Sequence, residues 1–280
     1  MVRLAVAYSL GDPAGRGSAL RLVELFGGSR ARCPYAEECF EVNGVMVGGF
    51  NAGSTELEML DASPDPNADA VVVFSRHRAE SGRKSLTVHH PGNPTSDNSL
   101  GGEPMKLATS YPALAKALLV ALRDASIETG LSESHEVTLE ATHHGPTKPS
   151  KPIVYMELGS TEEDWSSPRG WETIALAFMK AMDILPKLEG SCVRAAGFGG
   201  THYVPKHTKL QLESSYCIGH TIPRYAFDKG ASESIIEEAL TKAYPGPVEI
   251  ALVEKKSLKG HQRRLVASVC ERLGVRVEYI

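Results

Sequence analysis

Short runs with a two-residue apolar period alternate along this chain with longer runs of helical period. The first kind predicts strands at 2–8, 70–75, 85–89, 136–142, 153–158, 193–197, 214–218 and 248–253, with 275–279 as an edge strand. Segment 40–47 carries Asn43-Gly44 between apolar residues, the strongest short-range hairpin signal. Helical spacing predicts helices at 18–26, 56–60, 111–128, 171–185, 232–243 and 261–273. In the third of these, Leu114, Leu118, Val120, Leu122 and Ile127 are enough to bury one face. Thr55-x-x-Glu58 and Ser160-x-x-Glu163 read as capping boxes, so helices are expected just after Thr55 and Ser160. Strands alternating with helices specify the α/β class. No repeat or low-complexity tract divides the chain, which is expected to form one domain over 1–280 with room for two lobes. Segments 61–68 and 91–105 are the expected flexible pieces, the second a lid or substrate loop because it follows a histidine pair.

Composition narrows the classes without naming one. A 42% hydrophobic, 23% charged chain is ordinary globular protein, and a net charge of −4 supplies no global basic field for nucleic acid. No apolar run reaches the roughly 20 residues of a membrane span. Gly11-Asp12-Pro13 interrupts the first strand too early for a secretory leader, so a cytoplasmic protein is expected, acting as a monomer away from membranes. Five cysteines are too few and scattered for a disulfide scaffold and read as small buried apolar residues; Cys33–Cys39 is the one bridge to check.

The chemistry-bearing residues gather where strands end, which is where open α/β sheets hold ligands. Alternation puts Thr138, Glu140 and Thr142 on one strand face, followed by His143 and His144 before Gly145-Pro146. Glu157 sits in an apolar strand, and a lone buried carboxylate costs several kcal/mol, roughly, unless paired or ligated. Structural hydrogen bonds to loops would also satisfy Glu140 and Glu157, but two such acids beside histidines favour a functional reading. Gly199 and Gly200 precede His202 and Tyr203, and their amides are candidates to hold an anion or developing oxyanion. His77, His89 and His220 close further strands, while His135 and His261 read as surface residues. Lys206, Lys209 and the 255–264 run, including Lys256 and Arg263, offer cations for phosphates, although an exposed charged turn is the simpler account of such runs. No HExxH, GxSxG or P-loop is present. Histidines and carboxylates without cysteine suit a hydrolytic zinc site, though spacing alone does not say which are ligands.

Taken in order, several blocks resemble the archaeal and plant type of D-aminoacyl-tRNA deacylase. They are Ser75-Arg76-His77, Leu86-Thr87-x-His89 with Gly92-Asn93, Glu140-Ala141-Thr142-His143-His144-Gly145-Pro146-Thr147 and Glu157-Leu158-Gly159-Ser160. Gly199-Gly200-x-His202-Tyr203-x-Pro205-Lys206-x-Thr208-Lys209 and Gly219-His220-x-x-Pro223-x-Tyr225 complete the set. The resemblance implies a three-layer α/β/α fold with a central mixed sheet, phosphorylase/hydrolase-like, and hydrolysis of the ester joining a D-amino acid to tRNA. It implies Zn²⁺ held by some of His89, Glu140, His143, His144 and His202. It also implies a catalytic set of His143, His144, Glu140 and His202. Gly199, Gly200, Tyr203, Lys206, Lys209, His77, His220, Lys256 and Arg263 are then the expected substrate or tRNA contacts. His90 and His207 fall outside the family pattern and rank lower. Two other readings stay open from sequence: a metal-independent aminoacyl or peptidyl-tRNA esterase using a histidine base, and an RNA-binding protein without turnover.

Overall fold

The computed structural model describes residues 2–79 and 82–280. Its strands are β1 (Leu4–Ser9), β2 (Ser29–Arg30), β3 (Glu38–Val42), β4 (Val45–Phe50), β5 (Ala70–Arg78), β6 (Ser85–His89) and β7 (Gly92–Asn93), then β8 (Lys106–Leu107), β9 (Glu136–Leu139), β10 (Ile153–Ser160), β11 (Val193–Phe198), β12 (Tyr216–Ile222), β13 (Ile250–Val253) and β14 (Arg276–Tyr279). The helices are α1 (Pro13–Leu25), α2 (Pro112–Glu128), α3 (Glu162–Trp165), α4 (Pro168–Glu189), α5 (Pro205–Glu213), α6 (Arg224–Asp228), α7 (Glu233–Thr241) and α8 (Gly260–Leu273).

The α/β class and the mixed sheet are as expected, but the strands divide between two main sheets. The larger runs β2-β3-β4-β1-β5-β10-β6-β9, and the smaller, wholly parallel, runs β12-β11-β13-β14. Strands β1, β5 and β10 are parallel neighbours whose first residues, 4–7, 70–74 and 153–156, are mostly apolar, as stretches buried on both faces must be. One face of this sheet carries α1, α2 and α4 over Val6, Val72, Phe74 and Val154. On the other face Leu57 and Leu60 cover Ala7, Val71, Val73 and Ile153. In the smaller sheet, Leu210 of α5 packs on Ala195, Ile218, Ile250 and Leu252, while α7 and α8 close the opposite face. Helices thus lie on both sides.

Several boundaries differ from the sequence pattern. The hairpin stands, Val42 pairing with Val45 across Asn43-Gly44, both at positive φ. Helix α1 starts at Pro13 instead of 18, because Asp12 accepts from the Ala14 and Gly15 amides at 3.0 Å. The helix expected at 56–60 is only a 3₁₀ turn at Ser54–Glu56, and the second capping box forms one residue later, between Thr161 and Asp164. The β14 pairing at the sheet edge is present. Helix α5 occupies a stretch read from sequence as a charged loop.

Two disulfides correct the cysteine reading. Cys33–Cys39, the bridge singled out, is formed, and so is Cys192–Cys217, with Cα atoms 5.7 and 5.6 Å apart. Only Cys270 is a free, buried thiol. Residues 192 and 217 stand beside adjacent parallel strands, a proximity that their separation of 25 in sequence does not reveal.

Candidate active site

The reactive groups come together on a sheet face, not along its carboxyl edge as the strand-end rule suggests. The reason is direction. Strand β6 runs antiparallel to β10, so His89 at the end of β6 lies opposite Tyr155, in the middle of β10. Glu157 then sits between Ser75 of β5 and Thr87 of β6. Strand β9 ends at Leu139, and Glu140 continues it beside His89, its amide donating to Val88 O at 3.1 Å. The loop between β11 and α5 of the smaller sheet closes the site from above. Glu140 bridges to Tyr203, and the Ala141 amide donates to His202 O at 2.8 Å.

Glu140, His143, His144, His89 and His202 therefore share one centre, with His77 and Glu157 beside them. His143 and His202 each place Nε2 3.5 Å from Glu140 Oε2, and their rings are 4.7 Å apart. His77 Nδ1 lies 2.7 Å from Glu140 Oε1 and 3.4 Å from Glu157 Oε2, and its Nε2 is 2.7 Å from Tyr203 Oη. Glu157 Oε1 accepts from Ser75 Oγ at 2.6 Å, with His89 Nε2 at 3.6 Å and His144 Nε2 at 3.9 Å. The carboxylates are buried, while the His202 side chain is 39% and that of His143 20% exposed, so the cleft opens at those two rings. Beyond them a cavity of about 110 Å³ is lined by Asn93, Thr95, Leu100, His144, Tyr225 and Lys229 among others.

The histidine tautomers follow from what the Nδ1 atoms meet. Those of His143, His144 and His89 face the carbonyls of Ala141 at 2.8 Å, Gly145 at 2.7 Å and His90 at 3.3 Å. A carbonyl only accepts, so in the neutral ring each Nδ1 carries the proton and each Nε2 presents a lone pair to the cleft. That is how metal-binding histidines are held. The three donor atoms lie within 4.8 Å of one another, as do those of His77, Glu140 and His202, and of His89, Glu140 and Glu157. Among the described residues, His89 Nε2 and both Glu140 oxygens are buried without a hydrogen-bond donor or acceptor suitably aligned. Even the 2.7 Å approach of His77 to Glu140 is a close ion-pair contact rather than a well-directed hydrogen bond. Groups so left cost stability unless something binds them.

Charge in the cleft is sorted. Burial opposes a proton on His77, but the carboxylates of Glu140 and Glu157 outweigh it and hold its pKa up at about 11. Burial likewise pushes Glu157 toward neutrality, yet the neighbouring imidazoles of His144, His77 and His89 outweigh it and keep it well below the usual carboxylate range. Burial, then the neighbouring His89, His144 and His202, hold His143 well below 6.5 and thus neutral at pH 7.

Other residues singled out in the sequence lie elsewhere. The Gly199 and Gly200 amides are not free for an oxyanion: they donate to Ile222 O and Ser257 Oγ, each at 2.8 Å. With φ of 106° and 85° these glycines form the tight turn that presents His202, packed on Glu254 and Ser257. His220 is fully buried between Thr142 Oγ1 at 3.0 Å and Ala108 O at 2.9 Å, so it is no tRNA contact. Arg263 holds the carbonyls of Lys255 and Leu258 at the start of α8, and Lys256 is exposed without a place in the cleft. Lys206 pairs with Glu254 at 3.4 Å and Lys209 with Glu213 at 3.8 Å, both on the outside of α5. His90 and His207 make structural bonds, to the Tyr111 amide and Leu252 O. His261 is exposed as expected, whereas His135 is buried, 3.3 Å from Asp164. The loop expected to be a lid or substrate loop lines the cavity beside His143 and His144 and is anchored: Asn93 Nδ2 donates to Gly101 O and Glu103 O, and Glu103 N to Thr147 Oγ1. The sequence reading missed Tyr155, stacked on His89 at 5.0 Å, and Ser75; period two from Glu157 and a neighbouring strand pointed to both.

A sequence model of the family described as D-aminoacyl-tRNA deacylase matches residues 64–278, a span that contains every group in this cleft. The chain belongs to that family. A D-aminoacyl-tRNA deacylase of Aeropyrum pernix is 65% identical over 279 residues, covering 100% of both chains. Another, from Hyperthermus butylicus, is 40% identical over 277 residues, 98% of this chain and 99% of its own. A crystal structure of a conserved protein of unknown function superposes with a TM-score of 0.89 at 26% identity, covering 99% of this chain and 95% of the other. The family resemblance carried by the two histidine motifs therefore holds, and so does the fold it implied.

Proposed function

We propose that this protein hydrolyses the ester between a D-amino acid and the terminal ribose of tRNA, releasing free D-amino acid and uncharged tRNA. The observation that carries the chemistry is the convergence of His89, His143 and His144 Nε2 with the buried carboxylates Glu140 and Glu157 in one open cleft. The relatives named above carry this activity in their names. A tRNA substrate also fits a cytoplasmic setting, and no helix among the described residues is long and apolar enough to cross a membrane.

The donor set fits Zn²⁺, because it offers imidazole and carboxylate lone pairs that the protein itself leaves unsatisfied. His89, His143 and His144, with Glu140 or Glu157, would hold the ion. Zinc there would lower the pKa of a bound water toward roughly 7 and polarise the ester carbonyl. The chain's own groups do the rest. His202 stands at the cleft mouth, its pKa lowered by burial and by His77, and is neutral at pH 7 despite the opposing pull of Glu140. It takes the proton of the attacking water as the water oxygen bonds to the ester carbon. When the tetrahedral intermediate collapses, the bond from carbon to ribose oxygen breaks and His202 returns the proton to that oxygen. His77, held protonated by two carboxylates, fixes Glu140 and Glu157 in place.

The test is release of labelled tyrosine from D- and L-tyrosyl-tRNA side by side, with zinc measured in protein purified without added metal. We expect roughly a thousandfold preference for the D ester, about 4 kcal/mol in transition-state binding, and loss of turnover on chelation. Comparable rates on both esters leave a general aminoacyl esterase. Full activity after chelation leaves a histidine base working without metal, and binding without turnover leaves an RNA-binding protein.

A further inference from the structure

A D-aminoacyl ester cannot reach His143 unless its ribose, and hence the terminal adenosine of tRNA, lies against the cleft wall. Nucleic-acid ends without base pairing are held by an aromatic face for the base and a cation for the phosphate. Two half-exposed tyrosines border the cleft. The face of Tyr203 is already covered, with the Arg83 guanidinium 4.8 Å over the ring and the hydroxyl bonded to His77. Tyr225 is different: it lines the cavity with His143 and His144, and no other aromatic ring packs on it among the described residues. It sits on α6, and Lys229, four residues on, follows on the same side, its flexible Nζ over one face of the Tyr225 ring at 6.0 Å from the centre, farther off than Arg83 is from Tyr203. Lys229 is exposed and has no carboxylate partner in ion-pair contact among the described residues. The acid lining this cavity, Asp97, accepts from the Ser99 amide at 3.0 Å and lies within electrostatic reach of Lys229 but outside ion-pair contact. The Arg224 amide donates to Gly200 O, which ties α6 to the turn that presents His202.

Resting on the proposed activity, we infer that Tyr225 and Lys229 seat the terminal nucleotide of the tRNA acceptor end, Tyr225 stacking on the adenine and Lys229 pairing with its 5′ phosphate. In the basic run at the start of α8, by contrast, Arg263 is taken up by the carbonyls of Lys255 and Leu258 and Lys259 by Asp228.

Calorimetric titration of the full chain with adenosine, adenosine 5′-monophosphate and the uncharged trinucleotide CCA tests this. The wild-type protein should bind the monophosphate more tightly than adenosine. Lys229→Ala should erase that difference, which in the wild type should shrink as salt rises. Tyr225→Ala should weaken all three about tenfold or more, as loss of one stacked base does. Tyr225→Leu, which keeps apolar packing, should do the same and guards against a folding defect, read from the melting temperature. With D-tyrosyl-tRNA the defect should fall on KM more than on kcat. Equal wild-type affinity for adenosine and its monophosphate overturns the role of Lys229. Unchanged nucleotide affinity in both Tyr225 variants overturns the seat. A wild-type protein that binds CCA through these residues but releases no D-tyrosine would sink the proposed activity and leave the seat standing.

Discussion

Glu140 is the residue at which the two sheets meet chemically. Its backbone extends β9, its carbonyl accepts from Thr221 Oγ1 of β12 at 3.1 Å, and its carboxylate faces His77, His143 and His202. Exchanging it for glutamine keeps the shape and removes the charge. Glu140→Gln should lower turnover of D-tyrosyl-tRNA on the order of a hundredfold or more and reduce bound zinc, read by mass spectrometry of the purified protein. Turnover within threefold of wild type would remove Glu140 from the site. Tyr203 acts one step out, through His77. Tyr203→Phe removes one half-buried hydrogen bond, at about 1 kcal/mol of stability, and should lower kcat about tenfold with KM little changed. A rise in KM alone would make Tyr203 a substrate contact instead.

Among the elements, α5 and its surroundings separate what packing holds from what charge does. Thr208 bonds Thr138 Oγ1 and the Leu139 amide, which fixes α5 against β9, while Lys206 and Lys209 point outward. Reversing both charges should raise KM for the tRNA substrate several-fold, and the defect should fade at lower salt, because phosphate contacts act through counterion release. A fall in kcat without a change in KM would refute that role. The Cys192–Cys217 bridge closes 25 residues of chain and joins the end of α4 to β12. By loop-closure entropy it contributes about 3.5 kcal/mol, against about 2 kcal/mol for Cys33–Cys39. Cys192→Ser should therefore lower the melting temperature more than Cys33→Ser does, a ranking that differential scanning calorimetry reads directly. The helices were legible where apolar periodicity was strong, as in α2 and α4, and illegible in α5 and α6. Those two are short, polar on their outer sides, and stabilised by what they pack on.

For the whole molecule, the interface between the sheets carries the site, and His220 is one of its ties. Burial lowers its pKa from 6.5 to about 4, only partly offset by the bond to Ala108 O. Above pH 6.5 the imidazole is neutral in folded and unfolded chains alike, and the tie is fully present. As pH falls from 6.5 toward 4, the unfolded chain takes up a proton that the folded protein refuses, so stability drops by up to about 3 kcal/mol. His220→Gln should lose some stability at pH 7 but flatten this part of the acid slope, which denaturant melts at pH 7, 6 and 5 would show. An unchanged slope would mean that His220 is not the group responsible.

Strand identity, the α/β class and the reactive side chains were set by sequence. Alternation alone put Thr138, Glu140 and Thr142 on one face, and the motifs grouped His143, His144, His202 and Tyr203 in the site. Strand direction and register were not, since they depend on pairing partners far away in the chain. The reversal of β6 against β10 placed the cleft on a sheet face, and the parting of the strands into two sheets built its roof. The same distant contacts turned His220 inward, occupied the amides of Gly199 and Gly200, and left His89 Nε2 and the Glu140 oxygens buried without a hydrogen-bond partner. A side chain's chemistry is local, but whether its donors and acceptors remain free is decided only by what folds against it.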